Sequence, residues 1–172
     1  MANVCYKLDD VNNMDHESFI LHFGSIYEHS PWVAQGAWSC RPFGSLDVLH
    51  GAMDSVMFAA PSAKQMELIR AHPELAGRLA RLDRLTEASR SEQSQAGLDR
   101  LNEDQIAKMN HLNAEYLNKF RFPFIICARL NDVDSIVSAM RARLRNDPAE
   151  EFQTALREIS KIARLRLADL VL

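Results

Sequence analysis

Apolar residues in this chain recur at the spacing of one helical face from one end to the other, and no segment alternates with the period of a half-buried strand. That single regularity restricts the chain to helix packed on helix. Its clearest instance is Ile106, Met109, Asn113, Tyr116, Leu117 and Phe120, a stripe introduced by Asn102 and Gln105 in the pattern of a capping box. Asp15 heads a second stripe of Phe19, Ile20, Phe23, Ile26 and Tyr27, which predicts a first helix to about Glu28. Ser30-Pro31 opens a short helix carrying Trp32 and Val33 and reaching toward Trp38, and Arg41-Pro42-Phe43-Gly44 reads as a turn. Ser45 caps Leu46, Leu49, Met53, Val56 and Met57, Pro61 closes that helix, and Ser62 starts another bearing Met66, Ile69 and Arg70.

The second half continues in the same manner. Residues 77–88 are charged and loosely periodic, a helix fragment followed by a loop. Ser89-Arg90-Ser91-Glu92 has the form of a capping box, so a helix is predicted to begin near Ser89. Phe122 to Cys127 is continuously apolar but broken by Pro123, and reads as a buried extended connection. Asp132 or Asp134 opens a helix to Arg145, and Asp147-Pro148 opens the last, with Phe152, Ala155, Leu156, Ile159, Ile162 and Leu170 inward. The expected architecture is a single-domain all-α bundle, 1–172, of roughly seven or eight helices.

Composition narrows the function. With 172 residues, 47% apolar and 25% charged, the chain can bury a real core without staples. A net charge of −3 lacks the basic footprint of a nucleic-acid binder. Cys5, Cys40 and Cys127 form neither a C-x-x-C pair nor a disulfide framework, which fits a reducing compartment. The N-terminal residues have no signal-peptide pattern, no apolar run has the length of a membrane span, and the final residues are not a peroxisomal tripeptide. A cytoplasmic location of bacterial type is expected.

The six histidines include no pair at helical ligand spacing, and P-loop, H-E-x-x-H and G-x-S-x-G signatures are absent, so no metal site is expected. His72 stands out because Pro73 disfavours a helical conformation for it and so places it at a helix break. It reads either as a helix-end histidine or as a general acid or base, since its ordinary pKa of about 6.5 suits proton transfer near neutrality. Glu92 likewise reads as a capping residue or as part of an anion cradle with Ser89, Gln93 and the helix N-terminus. Arg141, Arg143, Arg145, Arg157, Lys161 and Arg164 read as solvated helix faces, whereas Arg166, between Leu165 and Leu167, is the arginine expected to be partly buried against a carboxylate of protein or substrate. Trp32 and Trp38 read as packing residues.

Several segments in order carry a resemblance: Phe23 to Trp32, Arg41-Pro42-Phe43, Ala71-His72-Pro73-Glu74-Leu75-Ala76-Gly77, Ser89-Arg90-Ser91-Glu92-Gln93 with Ala96-Gly97-Leu98, Phe122-Pro123-Phe124-Ile125, Arg143-Leu144, Asn146, Glu151, and Lys161 to Leu167. Together they resemble the 2-oxo-4-hydroxy-4-carboxy-5-ureidoimidazoline decarboxylases of urate breakdown. The resemblance implies an all-helical, cofactor-free, homodimeric enzyme that acts on a small ureide and yields (S)-allantoin. It implies His72 and Glu92 as catalytic residues. Pro73, Ser89, Arg90, Ser91 and Gln93 are implied in substrate binding, with a backbone-donor wall from Phe124 through Ile125, Ile126 and Cys127 to Ala128, and Arg166 at the pocket.

The chain departs from the pattern at Glu74 and Arg90, where Asp and Thr are more usual, and at Arg121, where many relatives carry glycine. A left-handed backbone there would strain an arginine; a neutral surface change is the preferred reading. Two rivals remain: a hydrolase of a related ureide using His72 to activate water, and a non-catalytic helical interaction module. Association with other urate-pathway enzymes is left open.

Overall fold

The computed structural model describes residues 5–76 and 85–172. Among them are nine α-helices: α1 Leu8–Asn13, α2 His16–Phe23, α3 Trp32–Ala37, α4 Leu46–Ala59, α5 Ser62–Ala71, α6 Glu87–Gln95, α7 Glu103–Phe120, α8 Val133–Arg143 and α9 Pro148–Ala168. The fold is all-α; the described residues pair in β fashion only through the isolated bridge of Tyr6 and Val171. The helix count exceeds the expected seven or eight because α1, six residues long, has too short an apolar pattern to register in sequence. The predicted first helix stops at Phe23 rather than Glu28. Most of the predicted fragment and loop between Gly77 and Ser89 falls in 77–84, outside the described residues.

The caps explain where the helices start. Asp15, Ser45, Asn102 and Asp132 each accept a hydrogen bond from the backbone N–H three residues on, at Ser18, Val48, Gln105 and Ser135. Asp147 Oδ1 accepts from the N–H groups of Ala149 and Glu150, both at 2.9 Å. Gln65 closes α4, its buried amide donating to the Met57 and Phe58 carbonyls at 3.0 Å.

Two compact units are distinguished, Met1–Ala71 with Ser160–Leu172, and His72–Ile159. In the first, Phe19, Phe23, Phe43, Leu49, Met53, Met57, Leu68 and Ile69 are buried, and the Phe19 ring stacks on Phe43 at 6.1 Å. α3 lies close on α4, where a Cβ at Gly36 would come within 2.7 Å of Val56, so the approach requires glycine. The chain ends are tied there by Tyr6 N–H to the Leu170 carbonyl at 2.7 Å and Leu172 N–H to the Tyr6 carbonyl at 2.9 Å.

The second unit is centred on α7, whose inward face of Met109, Leu112, Asn113, Tyr116 and Phe120 follows the predicted stripe; Leu117, counted in that stripe, is exposed. The Tyr116 ring meets Phe124 edge-on at 5.1 Å and Phe120 at 4.6 Å, joining the helix to the segment after it. α7 ends on Arg121 with φ 64° and ψ 21°, left-handed, its N–H bonded to the Leu117 carbonyl at 2.9 Å. The neutral reading of this substitution is therefore corrected: the helix terminates in the αL conformation that glycine adopts without cost, and arginine occupies it.

Candidate functional site

His72 lies immediately beyond α5, as the following proline dictates, and is buried at 7% exposure with its Nε2 atom closed off from solvent. Pro73 beside it is half-buried. The turn that follows is pinned from two helices. Asn113 of α7 donates to the Leu75 carbonyl at 2.8 Å, and Gln93 of α6 accepts the Ala76 N–H through Oε1 at 3.1 Å. Ala76 itself has φ 47°, a left-handed backbone that these contacts hold in place.

α6 begins two residues earlier than the sequence suggests. Its N-cap is Thr86, whose side chain accepts the Ser89 N–H at 3.2 Å, so the predicted capping box of Ser89 and Glu92 is corrected: both residues lie inside the helix. Thr86-x-x-Ser89 and Ser89-x-x-Glu92 are competing cap patterns one turn apart, and the first prevails. The consequence for function is direct, because capping accounts for neither side chain. Ser89, Glu92, Gln93 and Ala96 are spaced i, i+3, i+4 and i+7, one face of a helix. Ser89 and Ala96 are buried, Glu92 and Gln93 half-buried, whereas Arg90 and Ser91 are exposed on the other side. The Ser91 hydroxyl accepts from Gln95 at 3.2 Å. Gly97, φ 77°, closes the helix, with Leu98 N–H reaching the Gln93 carbonyl at 3.0 Å.

Phe122 to Cys127, expected as a buried extended connection, lies outside helix and strand and is buried except for the half-buried Pro123, and α6 packs on the 3₁₀ turn Ala128–Leu130 that follows it. A buried chain without a ladder must find partners for its backbone elsewhere. Here side chains supply them. Arg143 Nη1 donates to the Ile125 carbonyl at 2.7 Å, and Glu158 Oε2 accepts the Cys127 N–H at 2.9 Å. Asn131 Nδ2 and Leu130 N–H donate to the Cys127 carbonyl at 2.9 and 3.1 Å. Burial, then the Glu158 and Glu92 carboxylates, push the Cys127 thiol above its ordinary pKa, so Glu92 of α6 is electrostatically coupled to this segment.

Neither Arg143 nor Glu158 was expected here. The reading of Arg143 as a solvated face is corrected: its side chain is 12% exposed, its Nε donates to Glu151 Oε1 at 2.7 Å, and Nη2 lies 2.5 Å from the same oxygen in ionic contact, without hydrogen-bond alignment. Glu151 is fully buried and also accepts from Tyr116 OH and, at 2.8 Å, from Asn146 Nδ2. Burial and this carboxylate raise the Tyr116 pKa well above its usual value. The guanidinium of Arg143 sits 4.4 Å over the Phe124 ring. Arg143, Asn146 and Glu151 were available in sequence only as fragments of a pattern; what they share is this network.

Arg166 belongs to the first unit and is buried, as predicted, with Nη1 donating to Glu28 at 3.0 Å and to the Ile26 carbonyl at 3.2 Å. A protein carboxylate thus meets it. Among the described residues no group of three or more His, Cys, Asp or Glu side chains is placed to hold a metal ion, and no helix is long and apolar enough to cross a membrane.

The second unit of this all-helical chain thus gathers a buried histidine turn, a Ser/Glu/Gln helix face and a side-chain-braced backbone segment. The family model for OHCU decarboxylase matches residues 12–168. The 2-oxo-4-hydroxy-4-carboxy-5-ureidoimidazoline decarboxylase of Amia calva is 43% identical over 161 residues, covering 94% of this chain and 92% of that one. The protein of the same name from Haloferax volcanii is 44% identical over 162 residues, covering 94% of each. A crystal structure of OHCU decarboxylase in the presence of (S)-allantoin shares the fold, with a TM-score of 0.66 and 23% identity over 90% of this chain and 96% of that one. The chain belongs to the 2-oxo-4-hydroxy-4-carboxy-5-ureidoimidazoline decarboxylase family, and is a carboxy-lyase.

Proposed function

We propose that this protein decarboxylates 2-oxo-4-hydroxy-4-carboxy-5-ureidoimidazoline to (S)-allantoin, with His72 and Glu92 at the reacting centre. Family membership across nearly the whole chain carries this reading. The chemistry needs no electron sink beyond the substrate, because the carbon that loses carboxylate adjoins a ring C=N bond. As the C–CO₂ bond breaks, its electron pair makes the single bond between the two adjacent ring carbons a double bond, and the imine pair moves to nitrogen, which takes a proton. Loss of the hydroxyl proton and protonation of the ureido-bearing carbon on one face then give a single enantiomer. The protein's task is to orient the carboxylate, stabilise the charge that develops, and deliver the proton.

In this reading His72 donates the proton or binds the carboxylate and hydroxyl. Its burial at a pinned turn supports the role. Glu92 and Gln93 orient the hydroxyl and ureido groups, and Ser89 borders them; their shared helix face supports this. Pro73, Arg90 and Ser91 complete the substrate contacts the resemblance implies, though the last two are exposed. Backbone donors between Phe124 and Ala128 bind ring oxygens. Arg166 holds an anionic or carbonyl oxygen, which Arg166→Lys would reveal as a raised KM. The proposal includes a cytoplasmic homodimer that uses no cofactor.

Product analysis tests the function. Substrate generated in situ should give CO₂ and (S)-allantoin in equal amounts. Ammonia or a ring-opened acid without CO₂ would instead identify a ureide hydrolase, and no turnover at all would leave an interaction module.

A further inference from the structure

We propose that Arg143, fixed by Glu151, is a positioning residue that aims the Ile126 N–H at the substrate; this rests on the reading of 124–128 as the substrate wall. Among the described residues only the Arg41-Pro42 bond is cis, and in a planar trans peptide the C=O and N–H point in opposite directions. Arg143 Nη1 holds the Ile125 carbonyl at 2.7 Å, so the Ile126 N–H of the same peptide is turned away from α8. One peptide further on, Glu158 holds the Cys127 N–H at 2.9 Å, which turns the Ile126 carbonyl away from α9. The wall is therefore not five equivalent donors. The Cys127 N–H is committed to Glu158, and the peptide whose donor direction is set by a charged clamp is that of Ile126.

The clamp is built to be stiff. Both Nε and Nη2 of Arg143 lie on one oxygen of the fully buried Glu151, whose other oxygen accepts from Asn146, and the guanidinium plane rests on Phe124 at 4.4 Å. A planar guanidinium can serve a carboxylate with one edge and a carbonyl with the remaining nitrogen; an ammonium cannot span both. A cation on the carbonyl oxygen also polarises the peptide and makes its N–H a stronger donor. Such a dipole, fixed before substrate arrives and directed at the ring carbonyl oxygen, which shares the charge reaching the neighbouring ring nitrogen by amide resonance, acts on kcat more than on KM.

The test uses Arg143→Lys, with the paired variant Arg143→Gln/Glu151→Gln as a second route that strands no buried charge should the lysine variant not fold. Amide NMR of ¹⁵N-labelled protein titrated with (S)-allantoin is read beside kcat and KM. Expected are an allantoin-induced shift of the Ile126 amide in the unmodified protein, its loss in the folded variant, and a kcat at least tenfold lower with KM changed less than threefold. If allantoin shifts no amide from 124 to 128 in the unmodified protein, the wall reading itself fails. If it does, and a folded variant keeps both the Ile126 shift and kcat within twofold, the wall stands and the role of Arg143 is overturned.

Discussion

Replacing Arg121 by glycine should stabilise the protein, although it removes a side chain and adds none. The residue ends α7 at φ 64°, ψ 21°, and its side chain is exposed. A left-handed backbone costs a residue with a Cβ about 1–2 kcal/mol. Glycine removes that cost and returns about 0.4–1 kcal/mol through the greater freedom of its unfolded chain. Taken at mid-range, about 1.5 less about 0.7 kcal/mol, the net gain is about 0.5–1 kcal/mol, before subtracting what the exposed guanidinium contributes, which at such positions is about 0–1 kcal/mol. Arg121→Ala separates the two effects, since alanine loses the guanidinium but keeps the strain. The glycine variant should therefore exceed the alanine variant by about 0.5–1 kcal/mol. Unfolding entropy is about 2.1 cal/mol/K per residue, so over 172 residues the gap corresponds to about 1.5–3 °C in Tm. Thermal and urea unfolding of the three proteins, each followed by circular dichroism and fluorescence, measures it. A glycine variant no more stable than the alanine variant would refute the assignment of strain.

Glu151→Ala should cost about 3–5 kcal/mol, because it leaves the largely buried Arg143 without its carboxylate; urea midpoints report this, and a loss below about 1 kcal/mol would contradict the network. Thr86→Ala should cost about 1 kcal/mol and fray α6, whereas Ser89→Ala should not fray it, a distinction that hydrogen exchange at the α6 amides can draw. Alkali should destabilise the fold. Burial and neighbouring carboxylates raise the Cys127 thiol and the Tyr27 and Tyr116 phenols, so the unfolded chain loses these protons first. Their contribution is fully present below the unfolded pKa values of about 8.5 and 10 and is lost as pH rises beyond them; Tyr116→Phe should flatten the upper part of that decline. In the native state iodoacetamide should modify exposed Cys5 and Cys40 well before Cys127, as peptide mass spectrometry would show.

The sequence carried the helices wherever a local signal sufficed. Asp15, Ser45, Asn102 and Asp132 are bonded as caps in the way their spacing indicates, and Pro73 and Pro123 interrupt helix where they should. At α6 local signals competed: two cap patterns overlap by one turn, and nothing within the segment ranks Thr86 above Ser89. Arg143 was misread for a different reason. Its neighbours Arg141 and Arg145 are exposed, and only the placement of Glu151 on α9 draws the middle arginine inward. Glu158 carried no motif at all, since a single glutamate on a charged helix acquires meaning only when a buried N–H lies opposite it. The left-handed backbone at Arg121 was raised by the glycine usual at that position but set aside, because arginine itself carries no signal for an αL turn.

If the proposed function holds, this chain makes one enantiomer of allantoin through His72 and Glu92. Circular dichroism of allantoin formed from substrate generated in situ measures it directly, with the unmodified protein beside folded His72→Ala and Glu92→Ala variants. General acid–base catalysis contributes about 10²–10⁴-fold, so the unmodified protein should give a fast (S)-allantoin signal and the His72 variant a loss of that order, with Glu92→Ala also strongly impaired. Unmodified protein that yields only the slow, optically inactive product, or a folded His72→Ala variant with the unmodified rate, would contradict it.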